Sequence, residues 1–178
     1  GGVSQLINFK LLINLIQKLP EVHFYFLGEI YLNKYYSELE DRDRLRVWKK
    51  LLTFTNMHYL GKLSETDIPS IVPLFKVGII PYLSTDVFNS FCNPIKLYEY
   101  LAGGLSVVSS PIKQVYELKS KFPVHICTSI EEYISTIISL MSDSDDKNQK
   151  YAKNIQVLLE RESRENKVWT ILKYIRRH

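Results

Sequence analysis

The sequence predicts an α/β protein, a Rossmann-like parallel sheet flanked by helices. Short runs of β-branched and aromatic residues alternate with segments of helical periodicity, and this alternation is typical of a parallel sheet. Several of these runs stop at a glycine, which indicates a turn at the end of a strand. At 178 residues the chain has an ordinary domain length, so residues 1–178 are predicted to form one domain with a substantial core.

The first predicted elements are an amphipathic helix and a strand. The apolar side chains of the helix recur at helical spacing up to Pro20. They are Leu6, Ile7, Leu11, Leu12, Leu15, Ile16 and Leu19. The aromatic run at residues 23–27 predicts a buried strand that ends at Gly28. Glu29 follows, and we interpret it as a solvated loop residue.

The next segment predicts two helices separated by a strand. Residues 31–54 have a helical composition, and their charged run at 38–44 predicts a solvated face. Residues 57–62 predict a strand with Gly61 at its exit. The capping-box pattern that begins at Ser64 predicts a helix that extends to Val72.

The second half of the chain continues the alternation. The continuous apolar run at residues 77–82 predicts a central parallel strand. Residues 83–92 are predicted to be a loop whose polar side chains could bond a sugar, namely Ser84, Thr85, Asp86, Asn89 and Ser90. Later elements are predicted as strands at 105–108 and 124–127, and as helices at 113–119, 131–141, 145–160 and 165–177. In the last helix, Val168, Trp169 and Leu172 form an apolar stripe.

Residues 93–104 predict a short helix with polar groups at its start. Asn93 is predicted to cap this helix, Pro94 suits its first turn, and Gly103 with Gly104 supplies a positive-φ stop. The positions with core spacing are Ile95, Tyr98, Leu101 and Ala102.

Lys96 and Glu99 lie three residues apart on this helix and can share a face. They place a cation and a carboxylate beside a helix N-terminus, whose N–H groups attract anions. A phosphate ester with a sugar hydroxyl nearby suits that arrangement. The alternative is an ordinary surface ion pair.

Composition excludes several other classes. The net charge of +4 is modest and the basic residues are dispersed, which argues against nucleic acid as a partner. Cys92 and Cys127 do not form a disulfide framework, and no apolar run approaches the length of a membrane span. No Gly-x-Gly-x-x-Gly pattern follows a predicted strand, so an NAD site is not indicated. His23, His58 and His125 each begin a predicted strand, opposite the ligand edge, so we predict no metal.

The segment 93–109 resembles the nucleotide-sugar motif of group 1 (GT4-like) glycosyltransferases, the retaining GT-B enzymes that often read Pro-x-Lys-Leu-x-Glu-Tyr-Leu-Ala-x-Gly-x-Pro-Val-Val. The resemblance implies that Glu99 accepts hydrogen bonds from the ribose hydroxyls of a UDP- or GDP-sugar. It also implies that the backbone around Asn93, Pro94 and Ile95 faces the diphosphate and sugar, with Lys96 as a diphosphate cation.

Other positions fit the same resemblance. Gly28 would allow the backbone to approach the donor, and Gly61, Lys62 and Tyr82 would lie on the nucleobase side. We also expect Ser90 to face the diphosphate or sugar. We expect Gly28, Gly61, Tyr82 and Asn93 to lie along one edge of the sheet. Many relatives carry a glutamate where this chain has Phe91, so the identity of the sugar is not indicated.

The resemblance extends over about the whole chain and implies the C-terminal, donor-binding half of a GT-B enzyme. A first strand and an N-terminal acceptor-binding domain would then precede it, and this half alone is expected to be inactive. The implied reaction is metal-free transfer of a glycosyl (hexosyl) group to an acceptor hydroxyl in polysaccharide or glycolipid biosynthesis. The implied location is the cytoplasm, including the inner face of the membrane. A nucleotide-sugar epimerase and a non-catalytic partner subunit remain as alternatives.

Overall fold

A computed structural model describes residues 6–30, 38–83, 87–143, 151–163 and 165–166. The strands are β1 (Phe24–Leu27), β2 (Met57–Gly61), β3 (Val77–Ile80), β4 (Ser106–Ser109) and β5 (Val124–Ile126). The helices are α1 (Phe9–Lys18), α2 (Glu38–Leu51), α3 (Ile68–Ile71), α4 (Val87–Phe91), α5 (Ile95–Ala102), α6 (Lys113–Tyr116), α7 (Ile130–Ser142) and α8 (Ala152–Glu162). This order confirms the predicted α/β class.

The described strands form two sheets, and every strand pair in them is parallel. One sheet has the order β1-β2 and the other has the order β3-β4-β5. Residues 77–82 were predicted to be a central strand, and this prediction is wrong for the part of the chain described here. β3 lies at the edge of its sheet, and β4 is the strand with a neighbour on each side.

Two hydrophobic clusters form the core. The first lies among α1, α2, α7 and the β1-β2 sheet, and its fully buried members include Leu15, Ile16 and Leu51. The second lies among α5, α6 and α8. Val107 and Val108 are adjacent on β4, and each belongs to a different cluster, because successive side chains of a strand point to opposite faces. The β3-β4-β5 sheet is therefore covered on both faces.

Helix α1 connects the two sheets. At its start, the Asn8 N–H donates to the Pro81 carbonyl just after β3, at 2.7 Å. At its end, the buried Asn56 amide before β2 donates to the carbonyls of Ile16 and Leu19, at 3.0 Å each. Helix α1 therefore runs from the end of β3 to the start of β2.

The start of α1 differs from the sequence prediction. Leu6 and Ile7 were predicted to lie on the helix, but α1 begins at Phe9, and Ile7 forms an antiparallel bridge with Tyr82. The Asn8 side chain caps the helix by accepting from the Leu11 N–H at 3.0 Å. The extended segment that contains Ile7 therefore ends at Asn8, where the helix starts.

Two glycines allow helix α5 to pack closely against β3 and against Val72. A Cβ atom at Gly78 on β3 would lie 2.3 Å from Cδ2 of Tyr100, so only glycine lets the helix pack this closely. A Cβ atom at Gly103 would lie 2.6 Å from a methyl carbon of Val72. Gly103 and Gly104 were predicted to share a positive-φ stop, but only Gly104 has a positive φ, +78°. Gly103 is required for close packing instead.

Several other predicted segments differ or lie outside the described residues. Helix α2 begins at Glu38, and residues 31–37 are not described. The Ser64 hydroxyl accepts from the Asp67 N–H as in a capping box, but α3 begins only at Ile68 and passes into a 3₁₀ turn at Val72–Leu74. The predicted stripe at Val168, Trp169 and Leu172 lies outside the described residues. Among the described helices, none is long and apolar enough to cross a membrane.

Candidate functional site

The candidate site is built around the N-terminus of α5. Asn93 was predicted to cap this helix, but the capping residue is Pro94, with φ −72° and ψ 115°, and it makes no side-chain cap. The helix therefore starts at Ile95, one residue later than expected.

The buried face of helix α5 matches the predicted one only in part. Ile95 and Ala102 were expected in the core, but both are exposed, Ile95 by 67%. Leu101 is fully buried as predicted, Tyr98 packs against the core, and Leu97, which was not among the predicted positions, is fully buried as well. This orientation leaves the first turn of the helix at the surface beside the ends of the strands.

Lys96 and Glu99 lie on one face of α5, as the sequence predicted. Lys96 Nζ is 2.5 Å from Glu99 Oε2, and the two side chains are only 20% and 27% exposed. Partial burial reduces solvent screening, so this pair is stronger than a fully exposed one. The site thus contains a cation and a carboxylate that are already oriented on a rigid helix.

Asn93 makes a contact that the sequence analysis missed. The Tyr98 hydroxyl donates to Asn93 Oδ1 at 2.9 Å. Tyr98 was assigned only to the core, although a tyrosine one helical turn beyond a polar residue can place its hydroxyl near that residue. The contact joins the segment before α5 to the helix itself.

Tyr82 lies just after β3, close to the same group of residues. Burial raises the pKa of Tyr82 above its ordinary value of 10.0, and the charges of Cys92 and Glu99 raise it further. The hydroxyl therefore stays protonated at neutral pH and can donate a hydrogen bond near Glu99.

The ends of β1 and β2 meet at Gly28 and Gly61. The Gly28 N–H donates to the Gly61 carbonyl at 2.7 Å, and both glycines have positive φ, +134° and +71°. Beyond them, Lys62 Nζ lies 3.2 Å from Glu29 Oε1. Glu29 was interpreted as a solvated loop residue, and it is half exposed but paired with Lys62 across the two strand ends.

The segment before α5 contains a helix that the sequence analysis did not predict. Residues 83–92 were predicted to be a loop, but residues Val87–Phe91 form α4. Asn89 was a candidate sugar ligand, but it is buried, and its amide donates to the carbonyls of Leu6 and Leu83. Ser90 is half buried on α4, and Ser84, Thr85 and Asp86 lie outside the described residues.

The three described histidines lie at two different sheets. His23 Nδ1 and His58 Nε2 are 2.8 Å apart at the start of the β1-β2 sheet, whereas His125 lies on β5 in the other sheet. Within the described ranges, no three His, Cys, Asp or Glu side chains are grouped as metal ligands.

Comparison with known proteins identifies similar chains. No protein-family model matches the chain. A protein of Bacillus subtilis (strain 168), named as a teichuronic acid biosynthesis glycosyltransferase, TuaH, is 24% identical over 122 residues, which is 68% of this chain and 28% of that protein. The crystal structure of Anabaena Alr3699/HepE in complex with UDP and glucose matches with a TM-score of 0.72 at 16% identity, over 98% of this chain and 47% of that chain.

The match to the HepE structure gives information about the fold. It confirms a Rossmann-like α/β arrangement that corresponds to about half of a larger protein, as in one half of a GT-B fold. This chain spans less than half the length of either protein, 28% and 47% respectively.

Proposed function

We propose that this chain is the donor-binding domain of a nucleotide-sugar-dependent glycosyltransferase. The observation that carries the proposal is the Lys96–Glu99 pair on the first turns of α5, beside Asn93 and the ends of the strands. The similarity to a protein named as a glycosyltransferase and the match to a UDP-bound structure support it.

In this proposal the nucleotide lies across the N-terminus of α5. The Glu99 carboxylate accepts from the two ribose hydroxyls, because an ionised carboxylate offers several acceptor sites. Lys96 and the backbone around Asn93, Pro94 and Ile95 bind the diphosphate, as helix N-termini favour anions. Ser90 lies on the preceding helix, on the side of the sugar.

The nucleobase lies toward the ends of β1 and β2. Gly61 and Lys62 would contact the base, partly through backbone groups, and Gly28 allows the close approach of the chain. Tyr82 offers a protonated hydroxyl between this side and Glu99. Lys62 is paired with Glu29 and would release it when it turns toward a ligand.

We also propose that a further strand lies between β1 and β3 and that a second, acceptor-binding domain completes the enzyme. A strand in that position would give one continuous sheet with the order β2-β1-x-β3-β4-β5, which is the 3-2-1-4-5-6 order of doubly wound folds if x is the first strand. Ligands in such folds bind where the strand order reverses, which is beside the end of β3 and Tyr82.

The proposed reaction is the metal-free, retaining transfer typical of group 1 enzymes. The bond between the sugar C1 and the diphosphate oxygen breaks, and the diphosphate leaves with the electron pair. The acceptor hydroxyl forms the new bond to C1 and gives up its proton to the departing diphosphate oxygen. Lys96 and the α5 N-terminus stabilise the charge on the diphosphate. The acceptor belongs to polysaccharide or glycolipid synthesis, a cytoplasmic process that extends to the inner face of the membrane.

Titration of ¹⁵N-labelled protein with UDP and GDP tests the proposal. A single domain lacks the closed cleft that excludes water, so we expect a Kd of about 0.1–1 mM and no sugar transfer by this chain alone. Chemical shifts of Lys62, Asn93 and Glu99 should change, with NAD as the control ligand. No change at millimolar UDP or GDP would favour a non-catalytic partner subunit, and turnover by this chain alone would refute the need for a second domain.

A further inference from the structure

We infer that Tyr98 is a positioning residue that orients the Asn93 side chain for the donor. Its hydroxyl donates to Asn93 Oδ1 at 2.9 Å, which occupies the carbonyl end of the side chain and leaves the amide nitrogen of Asn93 as the donor end. This inference rests on the proposed function, because it concerns the same diphosphate and sugar subsite.

The Tyr98 ring is a rigid anchor. Tyr98 lies on α5 and packs against the hydrophobic cluster that contains Leu97 and Leu101, which are both fully buried. A half-buried aromatic ring on a helix has few alternative rotamers, so the position of its hydroxyl is fixed by the packing. Through the hydrogen bond, the fixed hydroxyl restricts the orientation of the Asn93 side chain.

The hydrogen bond is not required to start the helix. Pro94, not Asn93, is the capping residue of α5, and the Leu97 N–H already donates to the Pro94 carbonyl at 3.0 Å. The Asn93 side chain is exposed, so it gains no core packing from this orientation. The main effect of the contact is therefore to set which end of the Asn93 amide faces solvent or a ligand.

The two ends of an asparagine side chain have opposite chemistry. The amide nitrogen offers two donors, which suit the oxygens of a diphosphate or sugar, whereas the carbonyl oxygen is an acceptor that a phosphate repels. With its oxygen held by Tyr98, Asn93 presents donors. Without the tyrosine hydroxyl, the Asn93 amide can rotate, and in a fraction of the molecules its oxygen then faces the ligand.

The substitution Tyr98→Phe keeps the ring and removes only the hydroxyl. We expect the Kd for UDP to rise by about three- to tenfold, as for the loss of one positioned polar contact, with the Tm nearly unchanged. Tyr116→Phe is the matched control, because Tyr116 is an exposed tyrosine on α6. An unchanged Kd in Tyr98→Phe, or an equal change in the control, would overturn the inference.

A double-mutant cycle shows whether Tyr98 acts through Asn93. If it does, Tyr98→Phe should add nothing to the loss caused by Asn93→Ala. Fully additive losses would show that Tyr98 acts in another way.

A measurement on the unliganded protein separates this inference from the proposed function. The ¹⁵N relaxation of the Asn93 side-chain amide should report a rigid group in the wild type and a mobile one in Tyr98→Phe. Equal mobility in both proteins would overturn the orienting role. If the wild type binds neither UDP nor GDP, the proposed function fails and the donor role of Tyr98 fails with it, while the relaxation result still decides whether Tyr98 orients Asn93.

Discussion

The Lys96 ammonium and the Glu99 carboxylate are each other's partners, 2.5 Å apart on one face of α5. In the proposed complex these two groups contact different parts of the nucleotide, so the donor must separate them. Binding then exchanges one partly buried ion pair for two contacts with the ligand. This exchange lowers the net gain in free energy and makes the affinity of the site sensitive to either charge.

Removing the carboxylate charge should weaken nucleotide binding. In Glu99→Gln the ribose loses a charge-assisted acceptor, which contributes roughly 1.5–3 kcal/mol, so the Kd for UDP should rise more than about tenfold. The Tm should shift little, because the ion pair lies near the surface. Calorimetric titration and thermal unfolding measure the two effects. The control is Glu21→Gln, an exposed site before β1. A large fall in Tm would instead show that Glu99 mainly stabilises the fold.

Removing the cation should affect the diphosphate selectively. In Lys96→Met the Kd for UDP should rise by about three- to tenfold, since an ammonium–phosphate hydrogen bond is lost. The Kd for uridine, which has no phosphate, should not rise. Shift titrations with both ligands measure this difference, and Lys50→Met at the end of α2 is the control. Equal losses for UDP and uridine would contradict a diphosphate contact.

Adding one methyl group at Gly78 should destabilise the fold. The new Cβ would lie within 2.3–2.9 Å of three atoms near the base of the Tyr100 side chain, which cannot move away without shifting α5. Overpacking of this kind costs about 1–3 kcal/mol. Urea denaturation of Gly78→Ala measures the free energy of unfolding, and Ser120→Ala, an exposed site, should change it by less than about 0.5 kcal/mol. Wild-type stability in Gly78→Ala would show that the helix can shift freely.

His125 should contribute to acid sensitivity. Burial lowers its pKa below the ordinary 6.5, and nearby Lys119 lowers it further, against an opposing effect of Asp143. Just below pH 6.5, His125 is protonated to a greater extent in the unfolded chain than in the folded chain. The contribution of His125 to stability is therefore present above that pH and is lost as the pH falls through the folded pKa.

An NMR titration of the His125 imidazole protons checks this effect. The midpoint should lie below 6.5 in the folded protein and near 6.5 in urea. A midpoint at or above 6.5 in the folded protein would contradict the effect of burial.

The sequence predicted the strands well, because each is a short apolar run with a clear stop. β1 is followed by Gly28, and β4 is followed by Ser110 and Pro111, so the apolar pattern and the turn residues indicate the same strand ends. The Lys96–Glu99 contact was also predictable, because the spacing of three residues on a helix determines it.

The features that the sequence did not reveal depend on distant contacts. Helix α5 carries apolar residues on several faces, so periodicity alone could not choose Leu97 over Ile95, and packing against β3 decided it. Helix α4 was missed because it is only five residues long and lies in the segment 83–92, whose Ser, Thr, Asp and Asn residues are typical of a loop. Asn89 on that helix binds the Leu6 carbonyl, a contact that no local pattern encodes.

The anchoring of α1 has a consequence for the order of events during synthesis. The helix is made before the residues that anchor it, because Asn89 bonds to Leu6 across 83 positions of the chain, and Asn56 bonds to Ile16 across 40. At translation rates of about 5–20 residues per second, the contact between Leu6 and Asn89 becomes available only about 4–17 s after Leu6 is made. During that interval the apolar face of α1, which includes Leu12, Leu15 and Ile16, has no complete core to enter, so this face stays accessible to ribosome-associated chaperones.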